Sequence, residues 1–383
     1  MQITQLTLNN FRNHTDTCVE WGPGINLITG PNGSGKTNLI DAIHYLCMSR
    51  SFVSASDRYV VQNGTKHFTV QGKFEGSIRS QLEIRCTWTT GAGKQIFVHE
   101  SPLDRLSDLI GLVPVVVISP EDRKLTAEGP AERRAFLDSF ISQFSPAYLR
   151  DLIRFKKIRK QRNSLLQQAG ESSQEIPSEL LRERLEPWNR LLAESGSNII
   201  AKRAEVLDRF KGYLDEQFRS FSGLDLKPGL EYKTIGSMDS TSDPEQIGRT
   251  FDLELQENFG KEVAREQSLI GPHRDEILFR LGEMELRPYG SEGQHRLFSV
   301  ALKLAQLFYY SDELDDLPII LLDDVFGNLD SQKTEILLKM LVQHPGQVFI
   351  TSATESPLEY LDRSGIKEAT WFSVENGTVT RRN

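Results

Sequence analysis

The segment GPNGSGKT, at residues 30–37, constrains the fold of this 383-residue chain more than any other. It fits the pattern GxxxxGK[ST] and stands between a predicted buried strand, Ile25–Thr29, and a helix predicted from Lys36 to about Met48. A strand, a glycine-rich loop and a helix in this order form the context that a phosphate-binding P-loop requires. The sequence therefore predicts an α/β fold built around this loop.

The loop predicts contacts to the phosphates of ATP. Its glycines allow backbone N–H groups to surround the β- and γ-phosphates, Lys36 supplies a positive charge, and the Thr37 hydroxyl can ligate Mg²⁺. The predicted ATP-binding residues of the loop are Gly30, Pro31, Asn32, Gly33, Ser34, Gly35, Lys36 and Thr37. The alternative, a glycine-rich turn with an unrelated lysine, is disfavoured because the motif, the strand and the helix agree.

The segment IILLDD, at residues 319–324, is the expected partner of the P-loop. Four apolar residues form a buried strand whose end delivers Asp323 to the Mg²⁺ shell, and Asp324 is placed to polarise water. The predicted catalytic residues are thus Lys36, Asp323 and Asp324, and the alternative is a strand that ends in an acidic turn. Many ATPases of this layout carry Glu at the second acidic position, so the shorter Asp predicts slow hydrolysis.

A second group of small residues precedes the helix HRLFSVALKLAQLFYY, which starts 24 residues before IILLDD. Small residues at a helix start leave N–H groups free for an anion, although Ser291 and Gln294 also fit an ordinary capping box. The order of this helix start, the acidic strand and GNLD, which ends at Asp330, resembles the signature, Walker B and D-loop series of ABC-type ATPases. That resemblance implies that Ser291, Gly293 and Gln294 grip ATP bound by a second protomer, in a homodimer.

The part of the chain between the P-loop and the IILLDD segment differs from them in its predicted secondary structure. From about Ala131 to Phe221 it is mostly helix-forming and heavily charged, with a break predicted near Pro187, and strand patterns return from Arg274. We predict an α/β, ABC-type (SMC-head-like) P-loop ATPase lobe, interrupted by a mostly helical second lobe. The predicted boundaries are 1–125 and 269–383 for the ATPase lobe and 126–268 for the insertion, with both ends of the ATPase lobe completing one sheet.

Further motifs narrow the resemblance to one family. LNNFRNH (8–14), SPEDRKL (119–125), GPAERRAFLD (129–138), GPHRDE (271–276) and LLDDVFGNLD (321–330) resemble the RecF family of bacterial DNA replication and repair proteins. The resemblance implies ATP-driven dimerisation on DNA, weak ATPase activity and a role in recombinational repair and the SOS response. It also implies binding to duplex DNA and single/double-strand junctions without sequence preference, and the recombination mediators RecR and RecO as partners.

Three positions qualify this resemblance. Arg12 is expected to approach the nucleotide phosphates, as the matching arginine does in SMC-like heads, and its alternative is a surface arginine at a strand end. Glu292 stands where family members often have Gln, and it would bring a negative charge near a γ-phosphate. Thr351 occupies the position of the switch histidine of transporters, which again favours slow hydrolysis.

A basic segment, RDLIRFKKIRKQRN at residues 150–163, carries seven basic residues and one acid in a chain of net charge −8. The predicted DNA contacts are Arg150, Arg154, Lys156, Lys157, Arg159 and Lys160, and the alternative is a solvated face of a structural helix. No segment resembles an element that reads bases, so binding is expected to depend on the DNA backbone.

Composition excludes several other classes of protein. The chain has no apolar run of about 18 residues, and its three cysteines form no CxxC pair, so we expect neither a membrane partner nor a zinc site and predict a cytoplasmic location. Two other functions stay open at this stage: the nucleotide-binding subunit of a transporter, and a scaffold that binds ATP without hydrolysing it.

Overall fold

Runs of β-branched and aliphatic residues form the strands of this chain, and segments rich in Leu, Glu, Lys and Arg form its helices. The computed structural model describes residues 1–171, 177–236, 243–354 and 369–382. The strands are β1 (Gln2–Phe11), β2 (His14–Glu20), β3 (Ile25–Thr29), β4 (His67–Glu75), β5 (Leu82–Thr89), β6 (Gly93–Val98), β7 (Ser101–Pro102), β8 (Val115–Ile118), β9 (Pro228–Lys233), β10 (Glu276–Leu281), β11 (Met284–Glu285), β12 (Ile319–Asp323), β13 (Val348–Ser352), β14 (Thr370–Glu375) and β15 (Thr378–Arg382). The helices are α1 (Lys36–Met48), α2 (Arg123–Ala127), α3 (Pro130–Ser142), α4 (Pro146–Glu171), α5 (Ser178–Ser222), α6 (Pro244–Arg265), α7 (Leu286–Tyr289), α8 (Glu292–Glu313) and α9 (Ser331–Gln343).

The chain divides into two compact units. Unit 1 comprises Met1–Arg123, Gln217–Leu224 and Arg296–Asn383, and unit 2 comprises Lys124–Glu216 and Asp225–His295. Each unit has its own sheet or sheets.

The P-loop strand β3 lies inside a six-stranded sheet of unit 1, with the order β15-β14-β3-β13-β12-β8. β3 pairs in parallel with β13 and β14, and β12 pairs in parallel with β13 and β8. The prediction that both ends of the chain complete one sheet is therefore confirmed. Parallel neighbours bring the carboxyl ends of β3, β12 and β13 to the same edge, which is where ligands bind in open α/β sheets.

A second six-stranded sheet of unit 1, with the order β2-β1-β4-β5-β6-β7, is antiparallel. Helix α1 contacts both this sheet and the parallel sheet. A helix covered on two sides must be apolar around most of its circumference, and Leu39, Ile40 and Ile43 of α1 are fully buried in the shared core. This packing fixes the first turn of α1, and with it the end of the P-loop.

Unit 2 is mostly helical, as predicted for the insertion, but it extends further along the chain than the sequence indicated. Strand β10 pairs with β9 from Glu276 opposite Lys233 to Leu281 opposite Pro228, in a three-stranded sheet of unit 2. The second boundary therefore lies at residues 295/296 rather than at 268/269. The difference arises because a strand pattern does not reveal the sheet to which the strand belongs.

The helix break predicted near Pro187 is wrong. Helix α5 is 45 residues long in total and continues through Pro187 without a break. A proline removes one intrahelical hydrogen bond and crowds the preceding turn, and a helix anchored by many buried side chains tolerates that cost. Leu181, Leu185 and Leu192, on both sides of the proline, are all buried.

Candidate nucleotide-binding site

The P-loop of unit 1 depends on glycine for its shape. Gly30 has φ 155°, and a Cβ atom there would come within 2.2 Å of the carbonyl oxygen of Val374. Gly35 has φ 114°, and its Cβ would lie 2.9 Å or less from side-chain atoms of Asn13 and His14. Other residues at these positions would both strain the backbone and collide with neighbours, so the loop would lose its concave form.

Lys36 is buried at the first position of α1 and bends back over the loop. Its ammonium donates to the carbonyl oxygens of Gly30 at 2.7 Å and Pro31 at 2.9 Å. Burial lowers the pKa of Lys36, whereas the charges of Asp324 and Asp323 act in the opposite direction. The two carboxylates therefore help to keep a cation in the loop, where the phosphates of a nucleotide would need it.

Asp323 ends strand β12 next to the P-loop. Its Oδ1 accepts hydrogen bonds of 2.8 Å from the hydroxyls of Thr37, on α1, and Thr351, on β13. Burial raises the pKa of Asp323, although the bonds from Thr37 and Thr351 favour the ionised carboxylate. The predicted pairing of the P-loop with an acidic strand end is thus present as a direct contact between side chains.

Asp324, the next residue, is exposed and has φ 47°, in the left-handed region. Its backbone N–H donates to the Thr351 hydroxyl at 3.0 Å. A cavity of about 280 Å³ opens here. Its lining consists of Asn32, Gly33, Gly35, Lys36, Thr37, Asn38, Asp324 and Thr351.

The donor set of this edge fits Mg²⁺, which favours oxygen ligands and usually takes one or two carboxylates together with substrate phosphates. Thr37 supplies a hydroxyl and Asp323 a carboxylate oxygen to the same place. Among the described residues no group of three or more His, Cys, Asp or Glu side chains could hold a metal by itself. A cation here would therefore need ligands from the nucleotide.

Asn13 and His14 contact backbone carbonyl groups of the P-loop. The sequence motifs did not indicate this role. The Asn13 side chain donates to the carbonyl of Ser34 at 2.9 Å, and His14 Nε2 lies 3.2 Å from the carbonyl oxygen of Gly35. The backbone N–H of Gly377 also donates to Ser34, at 2.9 Å. The FRNH motif, which resembles a motif of the family, contains both residues, but it predicts a nucleotide contact for Arg12 alone.

Comparison with known proteins places this geometry in a family. The family described as RecF/RecN/SMC N terminal domain matches residues 2–370. A relative from Salinibacter ruber (strain DSM 13855 / M31), the DNA replication and repair protein RecF, is 40% identical over 361 residues, covering 94% of this chain and 86% of the relative. This chain belongs to the RecF family. The resemblance of the sequence motifs to the RecF family is thereby confirmed.

Other members and neighbours of the RecF family agree. The RecF protein of Chloroherpeton thalassium (strain ATCC 35110 / GB-78) is 36% identical over 379 residues, covering 98% of this chain and 100% of the relative. A solved structure described as the recombination mediator protein RecF-ATP in the RecFOR pathway superposes with a TM-score of 0.90 at 28% identity, covering 100% of this chain and 97% of that one. A solved Smc head bound to a domain of ScpA, with a TM-score of 0.56 at 13% identity, supports the predicted SMC-head-like fold alone.

Arg12, expected near the phosphates from its match to SMC-like heads, does not line the cavity. Its guanidinium donates to Asp41 at 2.8 Å and to the hydroxyl of Ser51 at 3.0 Å. Asp41 is buried on α1, so Arg12 compensates a buried charge in this structure. A role for Arg12 toward the nucleotide stays a prediction.

The signature residues form a helix cap in unit 2. Ser291 accepts from the backbone N–H of Gln294 at 3.3 Å, and Gln294 Oε1 accepts from the N–H of Ser291 at 2.8 Å, which is a reciprocal capping box. A Cβ at Gly293 would meet no atom within 4 Å. Asp330 of the predicted D-loop caps α9 by accepting from the N–H of Lys333 at 2.8 Å.

The basic segment lies on α4, and its basic side chains differ in burial and in ion pairing. Arg154 makes two hydrogen bonds of 2.9 Å with Glu194. Arg162, which contributed to the charge count, is fully buried against Glu262. The other predicted DNA contacts are Arg150, Lys156, Lys157 and Lys160, which are exposed, and Arg159, which is half-buried.

Proposed function

We propose that this chain is an ATP-dependent DNA-binding protein of recombinational DNA repair, replication and the SOS response. Binding of ATP and Mg²⁺ joins two copies of the chain on DNA, and slow hydrolysis releases them. The observation that carries the proposal is the direct bond between Thr37 and Asp323 beside Lys36. Relatives called DNA replication and repair protein RecF, which match nearly the full length, support the DNA-repair role.

The residues of the cavity divide the chemistry among them. The loop N–H groups and Lys36 hold the β- and γ-phosphates, because a concave row of donors and a buried cation favour a multivalent anion. Thr37 and Asp323 would hold Mg²⁺, which neutralises phosphate charge when it is bound. Asp324 orients the attacking water, and its short side chain favours slow turnover.

The second copy supplies Ser291 and Gly293. The capping box does not compete with this role, because the Ser291 oxygen accepts from Gln294 while its own O–H remains able to donate. The open space around Gly293 and the position of this segment at the start of a helix suit the γ-phosphate of a partner-bound nucleotide. Asp330 lies in the segment that would face the partner next to this contact.

Light scattering with ATP, Mg²⁺ and duplex DNA tests the proposal. The wild-type chain should shift from monomer to dimer, and Lys36→Ala should lose both nucleotide binding and the shift. Ser291→Ala should retain nucleotide binding but lose the shift, since its defect lies in the partner's site. A Lys36→Ala variant that still dimerises with ATP would refute the mechanism.

Partners and location follow from the same proposal. The solved RecF structures are described as a recombination mediator in the RecFOR pathway, so RecR and RecO are the proposed protein partners. The proposed DNA ligands are duplex DNA and single/double-strand junctions, bound without sequence preference, and the proposed location is the cytoplasm. Among the described residues, no helix is both long enough and apolar enough to cross a bilayer.

The two alternatives have less support. A transporter subunit is disfavoured because the matched relatives are DNA replication and repair proteins over nearly their full length. A scaffold that binds ATP without hydrolysing it predicts that no phosphate is released in the presence of DNA. Release of phosphate in the presence of DNA, abolished by Asp324→Asn, would exclude it.

A further inference from the structure

Arginine side chains lie close together at a turn in unit 2, at residues 271–276. Arg134, on α3, donates to the backbone carbonyl of Asp275 at 2.7 Å, which holds its guanidinium against the turn. Arg274 belongs to the turn itself and is exposed. Two arginines from different elements therefore meet at one short segment.

A third arginine approaches from α4. The ring of Phe155 packs on His273, with the ring centroids 5.7 Å apart. Arg159 follows Phe155 by four residues, so it lies one turn further on the same face of the helix. We call Arg134, Arg159 and Arg274 the arginine cluster.

The acidic side chains of this turn are already engaged elsewhere. Asp275 is buried and accepts hydrogen bonds from Arg203, Tyr232 and Thr234. Glu276 pairs with the buried Arg133. Both carboxylates are thus bonded to other side chains, although their charges, together with that of Asp138, still act to raise the pKa of Arg134.

The arginine cluster is consequently a concentration of positive charge. Within the described ranges, Arg159 and Arg274 have no carboxylate partner. Burial lowers the pKa of Arg159, and the charges of Arg274 and Arg134 lower it further. Because like charges held together oppose folding, an external anion would relieve the repulsion.

His273 adds no charge to this place. Its Nε2 lies 3.0 Å from the carbonyl oxygen of Ser268, and burial, together with the three arginines, lowers its pKa to about 3. Its Nδ1 is buried and has no partner among the described residues. The positive charge therefore comes from the arginines alone.

We propose that the arginine cluster binds a phosphate of the DNA backbone, an assignment that rests on the proposed DNA-binding function and gives it a definite surface. Arginine guanidinium groups present donors in a planar fork that matches phosphate oxygens. Arg134 and Arg274 lie outside the basic segment of α4, so charge counting along the sequence does not single them out.

A nucleic-acid backbone fits better than an isolated anion or an acidic peptide. Lys156 and Lys160, on α4 beside Arg159, are exposed and have no ion-pair partner among the described residues. Lys156 lies about one helical turn before both Arg159 and Lys160, so these side chains extend the positive charge along α4. A row of cations suits a ligand with phosphates at regular intervals.

Salt-dependent binding of a 20-bp duplex of mixed sequence to the full chain with Mg-ATP tests the assignment. Arg274→Gln and Arg159→Gln should each weaken binding severalfold and reduce the slope of log K against log salt by about one. Arg249→Gln is the matched control, since it removes the same charge from an exposed helix position whose one ion-pair partner among the described residues is Glu245. Arg274→Lys should recover part of the affinity.

The outcomes separate the site from the function. Weaker DNA binding in the two cluster variants, with unchanged nucleotide binding and an unchanged control, supports the site. Wild-type DNA binding in both variants overturns the site but leaves the proposed function intact. If the wild-type chain binds no DNA, or the variants lose only the binding of an acidic peptide such as hexaglutamate, the assignment to DNA is wrong.

Discussion

The hydroxyl of Thr351, on β13, donates a hydrogen bond of 2.8 Å to the carboxylate of Asp323 on the neighbouring strand β12. The same hydroxyl accepts a hydrogen bond from the backbone N–H of Asp324. Asp324 has φ 47°, a conformation that costs a non-glycine residue about 1–2 kcal/mol. One threonine thus orients both acidic residues and stabilises a strained backbone between them.

We expect Thr351→Val to lower phosphate release while nucleotide binding is retained, because Asp324 would lose the bond that fixes its backbone. Thr351→Ser keeps the hydroxyl and should remain close to wild type. The free energy of unfolding should fall by about 1–3 kcal/mol in the valine variant, since a polar group loses its partner. Equal phosphate release by the valine and serine variants would show that the hydroxyl has no positioning role.

Gly377→Ala should weaken nucleotide binding although residue 377 lies far from the P-loop in sequence. Gly377 has φ 80°, and a Cβ there would come within 2.4 Å of the carbonyl oxygen of Asn13, which supports the loop. Gly282→Ala is the control, because Gly282 also has positive φ (58°) but open space around it. Binding of a fluorescent ATP analogue should fall in the first variant only, and similar affinities in both would contradict the support role.

Acid should destabilise the fold through His44. Burial, reinforced by the charge of Arg50, lowers its pKa from 6.5 to about 3. The unfolded chain therefore binds a proton below pH 6.5 that the folded chain does not, so this stability is present above pH 6.5 and is lost as the pH falls. Below pH 6.5 the free energy of unfolding falls by about 1.4 kcal/mol for each pH unit, which amounts to about 2 kcal/mol at pH 5.

The His44→Gln variant isolates this contribution. Its amide can still donate to the carbonyl of Arg50, which accepts from His44 Nδ1 at 2.9 Å in the wild type. Between pH 7.5 and pH 5, urea unfolding should show a loss of stability about 2 kcal/mol smaller in the variant than in the wild type. All other titrating groups are common to both proteins, so parallel pH profiles would exclude His44 as the cause.

A buried ion pair in unit 2 should show strong coupling. Arg162 and Glu262 are almost fully buried, and Arg162 also donates to Asn189 and Ser268. Arg162→Met should destabilise the chain by about 3–5 kcal/mol, because it leaves Glu262 charged and unpaired. The double variant with Glu262→Gln should be more stable than Arg162→Met alone in urea unfolding. Additive losses from the two single substitutions would contradict the coupling.

Prediction from sequence succeeded where the structure depends on neighbouring residues. The P-loop between β3 and α1 and the buried strand β12 that ends at Asp323 are both present as predicted. In each, consecutive residues fix the backbone conformation. The pairing of β10 with β9 was missed because the two strands are separated by a helix and joined only by tertiary pairing.

The sequence by itself determined the family, the fold class and the residues of the phosphate loop, because such a loop requires particular residue types at fixed spacing. Only the tertiary structure decided that Asn13 and Gly377 brace this loop, that Arg12 pairs with Asp41, and that three arginines meet at one turn. These contacts join residues from distant parts of the chain, so they exist only after strands and helices have packed, and burial then decides which charges are compensated.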